Sequence, residues 1–380
     1  MSDPQAQSED LFAIDVTTLS PVAQKLLDPG GPPPLRNLAA RAIAPGLKPN
    51  EALTVCVVLS FGSDALGESA RKTLEKLPLP VLNGALGSAE LHPGALHALA
   101  PFYAKDPEIA QRVLMHPSLH DLTVAELAKH ASEPVAELIS TNEERLLRCP
   151  EIIERLYTNK ATRMSTADRM IELAARNNLQ LNIAGFAQAL AAIQGELLTE
   201  PSEERTYDDV VFAKAEEIAA KDTAIDEDTH EVDEATGEEK VKATAVERVL
   251  TFQELNTSAK VRRALLGDAK DRLLAVRDPN PIVREAAIKA PGMNENEITR
   301  ISANRNTAED VLRIIASDRD WTRAYQVKLN LASNPRTPFV FGSRLVSFLR
   351  ESDLKKLEKS RDVSGAIQNA VKQHLSRKNK

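Results

Sequence analysis

The sequence predicts an all-α fold, an α-solenoid of short repeated helices in two blocks, on three observations. First, apolar residues make up 42% of the 380 positions but aromatics only 4%, and Ala and Leu dominate the apolar set. Small and unbranched side chains suit close-packed helices, whereas sheets draw on alternating Val, Ile, Tyr and Phe. Second, the dipeptide Arg-Asp recurs at Arg277-Asp278, Arg319-Asp320 and Arg361-Asp362, 42 residues apart each time. Self-similarity at a fixed period marks a repeat architecture. Third, residues 28–34 and 199–245 interrupt the helical pattern and divide it into blocks.

Residues 1–34 are expected to form a flexible N-terminal segment. Residues 1–20 are polar, and Asp28-Pro29-Gly30-Gly31-Pro32-Pro33-Pro34 cannot be helix interior. Amphipathic patterns run from Leu35 to about Leu198, which gives an N-terminal repeat block over 35–198. Its most strand-like run, Leu53 to Leu59, sits inside a helix-compatible stretch. Gly84 and Gly87 read as a turn near Pro80. Pro107-Glu108-Ile109 opens a segment that matches Pro150-Glu151-Ile152 43 residues later, and Thr123 then aligns with Thr166 and Leu127 with Met170.

Residues 199–245 read as an acidic, largely disordered linker, poor in apolar residues around Asp226 to Glu234. Inside it, Val211, Ala215 and Ile218 share one helix face with Phe212 beside them. That pattern predicts a short helix over 207–219, either docked on a neighbour or transient. A C-terminal repeat block follows over 246–376, then a basic tail over 377–380. Charge follows the same division. Residues 1–195 carry a net −5, 196–240 a net −13 and 241–380 a net +11, within an overall −7. Such asymmetry points to a contact between the acidic linker and the basic block, or to an anionic partner.

In the second block Leu273, Ile315 and Leu357 align before the Arg-Asp dipeptide, and Val283, Tyr325 and Ile367 after it. Ala287, Leu329 and Val371 complete a stripe compatible with one buried helix face. Asn280-Pro281 and Thr337-Pro338 pair a cap residue with a first-turn proline. Capping-box spacing occurs from Thr123, Thr141 and Asn294. These starts predict two or three short helices per period, the anatomy of HEAT and armadillo repeats.

The stretch from Leu274 to Pro338 resembles the bacterial variant-leucine-repeat and HEAT-like families. The likeness rests on the phrases Asp278-Pro279-Asn280-Pro281-Ile282-Val283-Arg284-Glu285-Ala286 and Asn334-Pro335-Arg336-Thr337-Pro338. The variant-leucine family can carry a cysteine-rich iron–sulfur segment; this chain lacks those cysteines, so the resemblance implies no cluster. Leu146-Leu147-Arg148-Cys149-Pro150-Glu151-Ile152-Ile153-Glu154-Arg155-Leu156-Tyr157 through Arg176, together with the C-terminal block, also resembles a deltaproteobacterial helical family without assigned activity, a likeness over residues 100–378. That resemblance implies a bacterial cytosolic setting.

No phosphate loop, dinucleotide fingerprint, nucleophile elbow or zinc-protease motif is present in the sequence. Cys56 and Cys149 stand far apart in apolar surroundings, which fits a reducing compartment. His97, His116, His120 and His130 lie close in sequence with Asp121, but Pro117 separates His116 from His120. His116 aligns with Asn159 and is comparable to Asn334, which predicts a turn residue rather than a metal ligand. HEAT-like DNA glycosylases place an Asp and aromatics in a groove, which draws attention to Asp320-Trp321. A helix-start acid, shared with Asp278 and Asp362, accounts for Asp320 without catalysis.

Arg277, Arg319 and Arg361, helped by Arg284 and Arg323, could line a ridge facing phosphates or an acidic protein segment. Against this stands pairing of each arginine with a nearby carboxylate, which is the favoured reading. The expected function is a non-enzymatic protein-interaction scaffold with no cofactor and no metal. Nucleic-acid binding by the basic block is the alternative, weakened by scarce aromatic platforms. No membrane span is expected, and the cytoplasm is the expected compartment.

Overall fold

The computed structural model describes residues 12–194, 204–221, 230–232, 239–241, 243–360 and 363–378. It divides into two compact units, Met1–Leu181 and Asn182–Lys380. Among the described residues it is a succession of 24 α-helices, most of them short. The first unit contains α1 (Pro21–Leu27), α2 (Pro33–Ala40), α3 (Pro49–Ser60), α4 (Ala65–Glu75), α5 (Leu79–Leu86) and α6 (Pro93–Leu99). It continues with α7 (Pro107–Leu114), α8 (Asp121–His130), α9 (Glu133–Ser140), α10 (Glu143–Arg148), α11 (Pro150–Thr158) and α12 (Met164–Arg176).

The second unit begins with α13 (Phe186–Ile193) and α14 (Tyr207–Lys221), followed by a two-stranded antiparallel ribbon, β1 (His230–Val232) and β2 (Glu239–Val241). Then come α15 (Ala243–Glu254), α16 (Thr257–Leu266), α17 (Ala269–Val276), α18 (Pro281–Ile288), α19 (Glu295–Ala303) and α20 (Glu309–Ser317). The last helices are α21 (Tyr325–Ser333), α22 (Phe339–Val346), α23 (Glu351–Lys359) and α24 (Gly365–Lys378).

Two boundaries differ from the sequence reading. Helix starts at Pro21 rather than Leu35, because Ala23 and Leu26 are buried in the first unit's core. Helix α13 packs on α16 and α18, so residues near 190 belong to the second unit and not to the block expected over 35–198. The disorder expected around Asp226 to Glu234 falls mostly outside the described residues. The short helix expected over 207–219 is α14.

Helices start where a proline fixes φ or where a side chain can accept a free amide. Proline occupies the first turn of α1, α3, α6, α7, α11 and α18. Asp64, Asp106, Asn142, Asn256, Asp268 and Asn294 each accept an amide of the following turn. Three caps differ from the pattern read in sequence. Thr123 is buried inside α8, and His120 accepts the Leu122 amide in its place. Asn142, not Thr141, caps α10, and α22 begins after Pro338.

The first core is organised around α3, whose Leu53, Val55, Cys56 and Val57 are all fully enclosed. A helix apolar on every side needs neighbours on every side, and α1, α2, α4, α5 and α6 supply them. Gly84 lies inside α5 and not in a turn. A Cβ there would stand 2.6 Å from the Pro49 ring, so the missing side chain sets how closely α5 approaches the start of α3.

Helix starts recur about every 14 residues, at Pro93, Pro107 and Asp121 and again at Pro281, Glu295 and Glu309. A recurrence of 42 therefore spans three helices. In the second unit α16, α18, α20, α22 and α24 each pack on the next, a row of alternate helices. Leu312 and Leu354, and Ile315 and Leu357, are all buried at the Arg-Asp spacing of 42, but across the first interval that register is not the register of burial. Leu273 is 39% exposed, whereas Ile315, aligned with it at 42, is fully buried. Buried residues instead correspond at 40 before the turn (Asp271 with Val311, Ala275 with Ile315) and at 44 after it (Val283 with Val327, Ala287 with Leu331). The 3₁₀ turn Trp321–Arg323 takes up the difference.

Candidate functional site

Of the five arginines singled out by sequence, the four described do not converge. Arg277 is exposed at the end of α17, in the turn that leads into the row of alternate helices. Arg319 is exposed beyond α20, in a turn that leads out of that row. Its counterpart in the burial register is residue 279, not Arg277. Arg284 turns its guanidinium to Asp310, with contacts of 3.0 and 2.7 Å, and to the carbonyls of Asp278 and Pro279. Arg323 lies 3.3 Å from Asp320 with its side chain 81% exposed. Arg361 lies outside the described residues.

The helix-start role expected of Asp320 belongs to Asp318, whose carboxylate accepts the Asp320 amide at 2.7 Å. Asp320 itself caps nothing. Asp278 makes the matching turn through the Asn280 amide at 2.8 Å, and pairs with Lys260 at 3.0 Å.

His116, Asn159 and Asn334 perform one job in three turns. Each accepts the amide two residues on: Ser118 at 3.1 Å, Ala161 at 2.9 Å and Arg336 at 3.0 Å. Each also meets backbone carbonyls of an earlier turn. His116 Nε2 lies 3.1 Å from the Ser88 carbonyl, and Asn159 Nδ2 donates to Ala128 and Ala131 at 2.9 and 2.8 Å. Asn334 Nδ2 donates to Ser302 and Asn304, each at 3.0 Å. A histidine with Nδ1 unprotonated and Nε2 protonated presents the same acceptor and donor as an asparagine amide. Among the described residues no group of His, Cys, Asp and Glu side chains could hold a metal ion.

The densest charged constellation escaped the sequence reading. It gathers Arg248 from α15, Arg263 from α16 and Asp268 and Asp271 at the start of α17. Arg248 Nε donates to Asp271 at 2.9 Å and its Nη2 to Asp268 at 2.5 Å. Arg263 Nη2 lies 2.6 Å from Asp271. The side chains of Arg263 and Asp271 are only 1% and 3% exposed. Burial raises Asp268, but the hydrogen bonds from Arg248 and the Asp271 amide, with the charges of Arg248 and Arg263, together outweigh it and hold the carboxyl below the usual range. Next to this group Arg272 grips Glu297 with two bonds of 2.9 and 2.7 Å. Gly267 gives the network room, since a Cβ would stand 2.4 Å from the Asp271 carboxylate. The sequence signal was present: Arg262-Arg263 interrupts the apolar set Ala259, Val261, Ala264 and Leu265 of α16.

Helix α14, from the acidic linker, docks on this part of the unit. Val211, Phe212, Ala215 and Ile218 are buried, and α14 packs on α15. The Phe212 ring centroid lies 5.1 Å from the Arg262 guanidinium. Arg263 pairs with Glu216 and donates to the Ala215 carbonyl at 3.2 Å. Asn256 donates to Asp208 at 3.0 Å, and Lys214 faces Glu247 at 3.9 Å. The acidic linker thus contacts the basic block through this helix.

A second surface combines aromatics with cations. Phe339, Val340 and Phe348 are exposed around α22. Lys328 sits 5.7 Å from the Phe348 ring centroid, and the Arg350 guanidinium 4.6 Å from that of Tyr325. A cavity of about 340 Å³ opens between α19, α21 and α23, lined by Arg305, Asn330, Asn334, Asp353, Lys356 and Ser360 among others. Asn330 and Asn334 are tied to backbone carbonyls, and Asp353 accepts the Tyr325 hydroxyl at 2.6 Å.

No family model, curated protein or solved structure matches this chain. No described helix is long and apolar enough to cross a membrane.

Proposed function

We propose that the chain is a non-enzymatic interaction scaffold whose short helices stack as an α-solenoid and offer an extended surface to a protein partner. One observation carries this reading: the same kind of polar link recurs along both units, reaching across 25–32 residues. Arg148 binds Asp121, Arg163 binds Glu133, Arg272 binds Glu297, Arg284 binds Asp310, and Asn334 binds the Ser302 carbonyl. Two helices at about 14 residues each give that spacing, so each link joins a helix to a neighbour roughly one hairpin away. Contacts confined to near neighbours are the mark of stacked repeats.

The partner surface favoured here is the exposed set Phe339, Val340 and Phe348 with its cations. The test is retention of a discrete protein by the immobilised full chain, compared with a Phe339→Asp/Phe348→Asp variant. The scaffold predicts a protein retained by the first and lost by the second. Equal retention by both, or none by either, contradicts it.

A second reading, nucleic-acid binding, gains from the same aromatic and basic neighbours, which suit base stacking and phosphate contact. It predicts that a fluorescent single strand binds the full chain at low salt and is released steeply as salt rises.

A further inference from the structure

We infer that the exposed face of α22 takes an acidic segment of a partner protein, one that carries aromatic or aliphatic anchors beside its carboxylates. The inference rests on the scaffold reading and names the chemistry of the partner at the surface favoured there.

Three observations carry it. The first is charge of a single sign. Residues 321–350 hold five Lys and Arg and no Asp or Glu, and residues 321–380 are net +9 within a chain of net −7. The second is the arrangement on α22. Val340, Arg344 and Phe348 follow one another at four-residue spacing and all are exposed, with Phe339 exposed beside Val340. An apolar anchor thus stands at each end of the face, Val340 and Phe348 being about 12 Å apart at a helical rise of about 1.5 Å per residue, with a guanidinium between them. The third is that the chain does not neutralise these cations itself. Lys328 and Arg350 rest against the rings of Phe348 and Tyr325. Among the described residues neither of them, nor Arg344, has a carboxylate at ion-pair distance. The carboxylates next in sequence are engaged elsewhere, Glu351 with Lys355 at 2.7 Å and Asp353 with the Tyr325 hydroxyl at 2.6 Å. By contrast, Arg272 and Arg284 each close on a carboxylate of a later helix.

The chemistry of the occupant follows. Apolar side chains exposed among cations leave area to be buried and positive charge to be met. A segment with both carboxylates and aromatic or aliphatic side chains supplies the two together. A guanidinium held near a ring, as Arg350 is at Tyr325, still has N–H donors to offer a carboxylate. A nucleic acid suits the face less well. Lys328 and Arg350 already stand at the rings on which bases would stack. Residues 1–320 are net −16, which opposes a long polyanion that runs beyond the face.

The test uses the immobilised full chain and a random dodecapeptide library displayed on phage. Peptides enriched on the chain are expected to carry a net negative charge and at least one aromatic or leucine side chain. A fluorescent copy of the most enriched peptide is expected to bind an Arg344→Glu/Arg350→Glu variant at least about tenfold more weakly than the unmodified chain. Neutral or basic enriched peptides, no enrichment, or equal affinity for a variant that keeps its helical circular dichroism overturns the inference. Should the variant lose its fold, salt decides on the unmodified chain. Affinity falling at least about fivefold from low salt to about 0.5 M supports charge pairing, and an unchanged affinity overturns it. A fluorescent oligothymidylate bound more tightly than the peptide would make nucleic acid the occupant. Enriched peptides that match residues 222–240 would make it this chain's own acidic segment, and either result overturns the assignment to a partner. The scaffold reading fails separately. A protein retained by Arg344→Glu/Arg350→Glu but lost by Phe339→Asp/Phe348→Asp leaves that reading standing and overturns this one.

Discussion

Arg263 and Asp271 meet at 2.6 Å with both side chains almost wholly enclosed, and Arg248 closes on the same carboxylate from α15. One carboxylate thus holds helices α15, α16 and α17 together. Truncating it takes one of two carboxylates from each buried guanidinium, leaving Arg248 with Asp268 and Arg263 with Glu216. Asp271→Ala is expected to lower the unfolding free energy by about 3–5 kcal/mol. Denaturant titration checks this, and a change near zero would show that the network relaxes into water.

Gly84→Ala normally strengthens a helix by about 1 kcal/mol. Here the new methyl meets the Pro49 ring, which cannot swing away. A net loss of about 1–3 kcal/mol is expected, as for other overpacked sites. Thermal unfolding of this variant beside Gly87→Ala separates the two effects.

The turn shared by His116 and Asn159 predicts a graded series at position 159. Asn159→Ala strands the carbonyls of Ala128 and Ala131 and the Ala161 amide, at a cost of about 1–3 kcal/mol. Asn159→His is expected to recover part of that loss at neutral pH. A histidine variant no better than alanine would contradict the equivalence.

Acid stability follows from Asp121. The Arg148 hydrogen bonds at 2.6 and 2.9 Å hold its carboxyl below the ordinary value of 3.8. The folded state therefore favours the ionised form. Its contribution is complete above about pH 4 and disappears as pH falls through the lowered value. Urea unfolding of the chain and of Asp121→Asn should differ near neutrality and converge in acid. A gap that persists at the lowest pH would assign the effect to packing.

Burial pushes the Cys56 thiol up to about 12, and its Sγ lies 3.3 Å from the Ala40 carbonyl. Maleimide labelling of the native chain is expected to spare Cys56 and to reach it only on unfolding. Rapid labelling of Cys56 would mean that the α3 core opens easily.

Helix identity was legible because short apolar stripes, prolines and caps act locally. Asn280 and Asn294 needed only their own turns. The match of Pro107 with Pro150 also marked a real equivalence, since His116 and Asn159 occupy the same turn. The first Arg-Asp interval misled because its 42 is the mean of two burial registers, 40 and 44, joined by the turn at Trp321, whereas in the second Leu312 with Leu354 and Ile315 with Leu357 keep 42. The charged network stayed hidden because Arg248, Arg263 and Asp271 come from three helices, and no single periodicity joins them. Burial of an arginine is a tertiary fact, visible in sequence only as a charge inside an apolar stripe.

Everything proposed for the surfaces depends on near-neighbour stacking, and truncation tests that most directly. A chain ending at Leu349 lacks α23 and α24, which should remove helical circular dichroism only in proportion to the helices lost. Cooperative unfolding of the remainder should persist, at reduced stability. Collapse of helical signal well beyond those two helices would show one indivisible core in the second unit, and would contradict the repeat architecture.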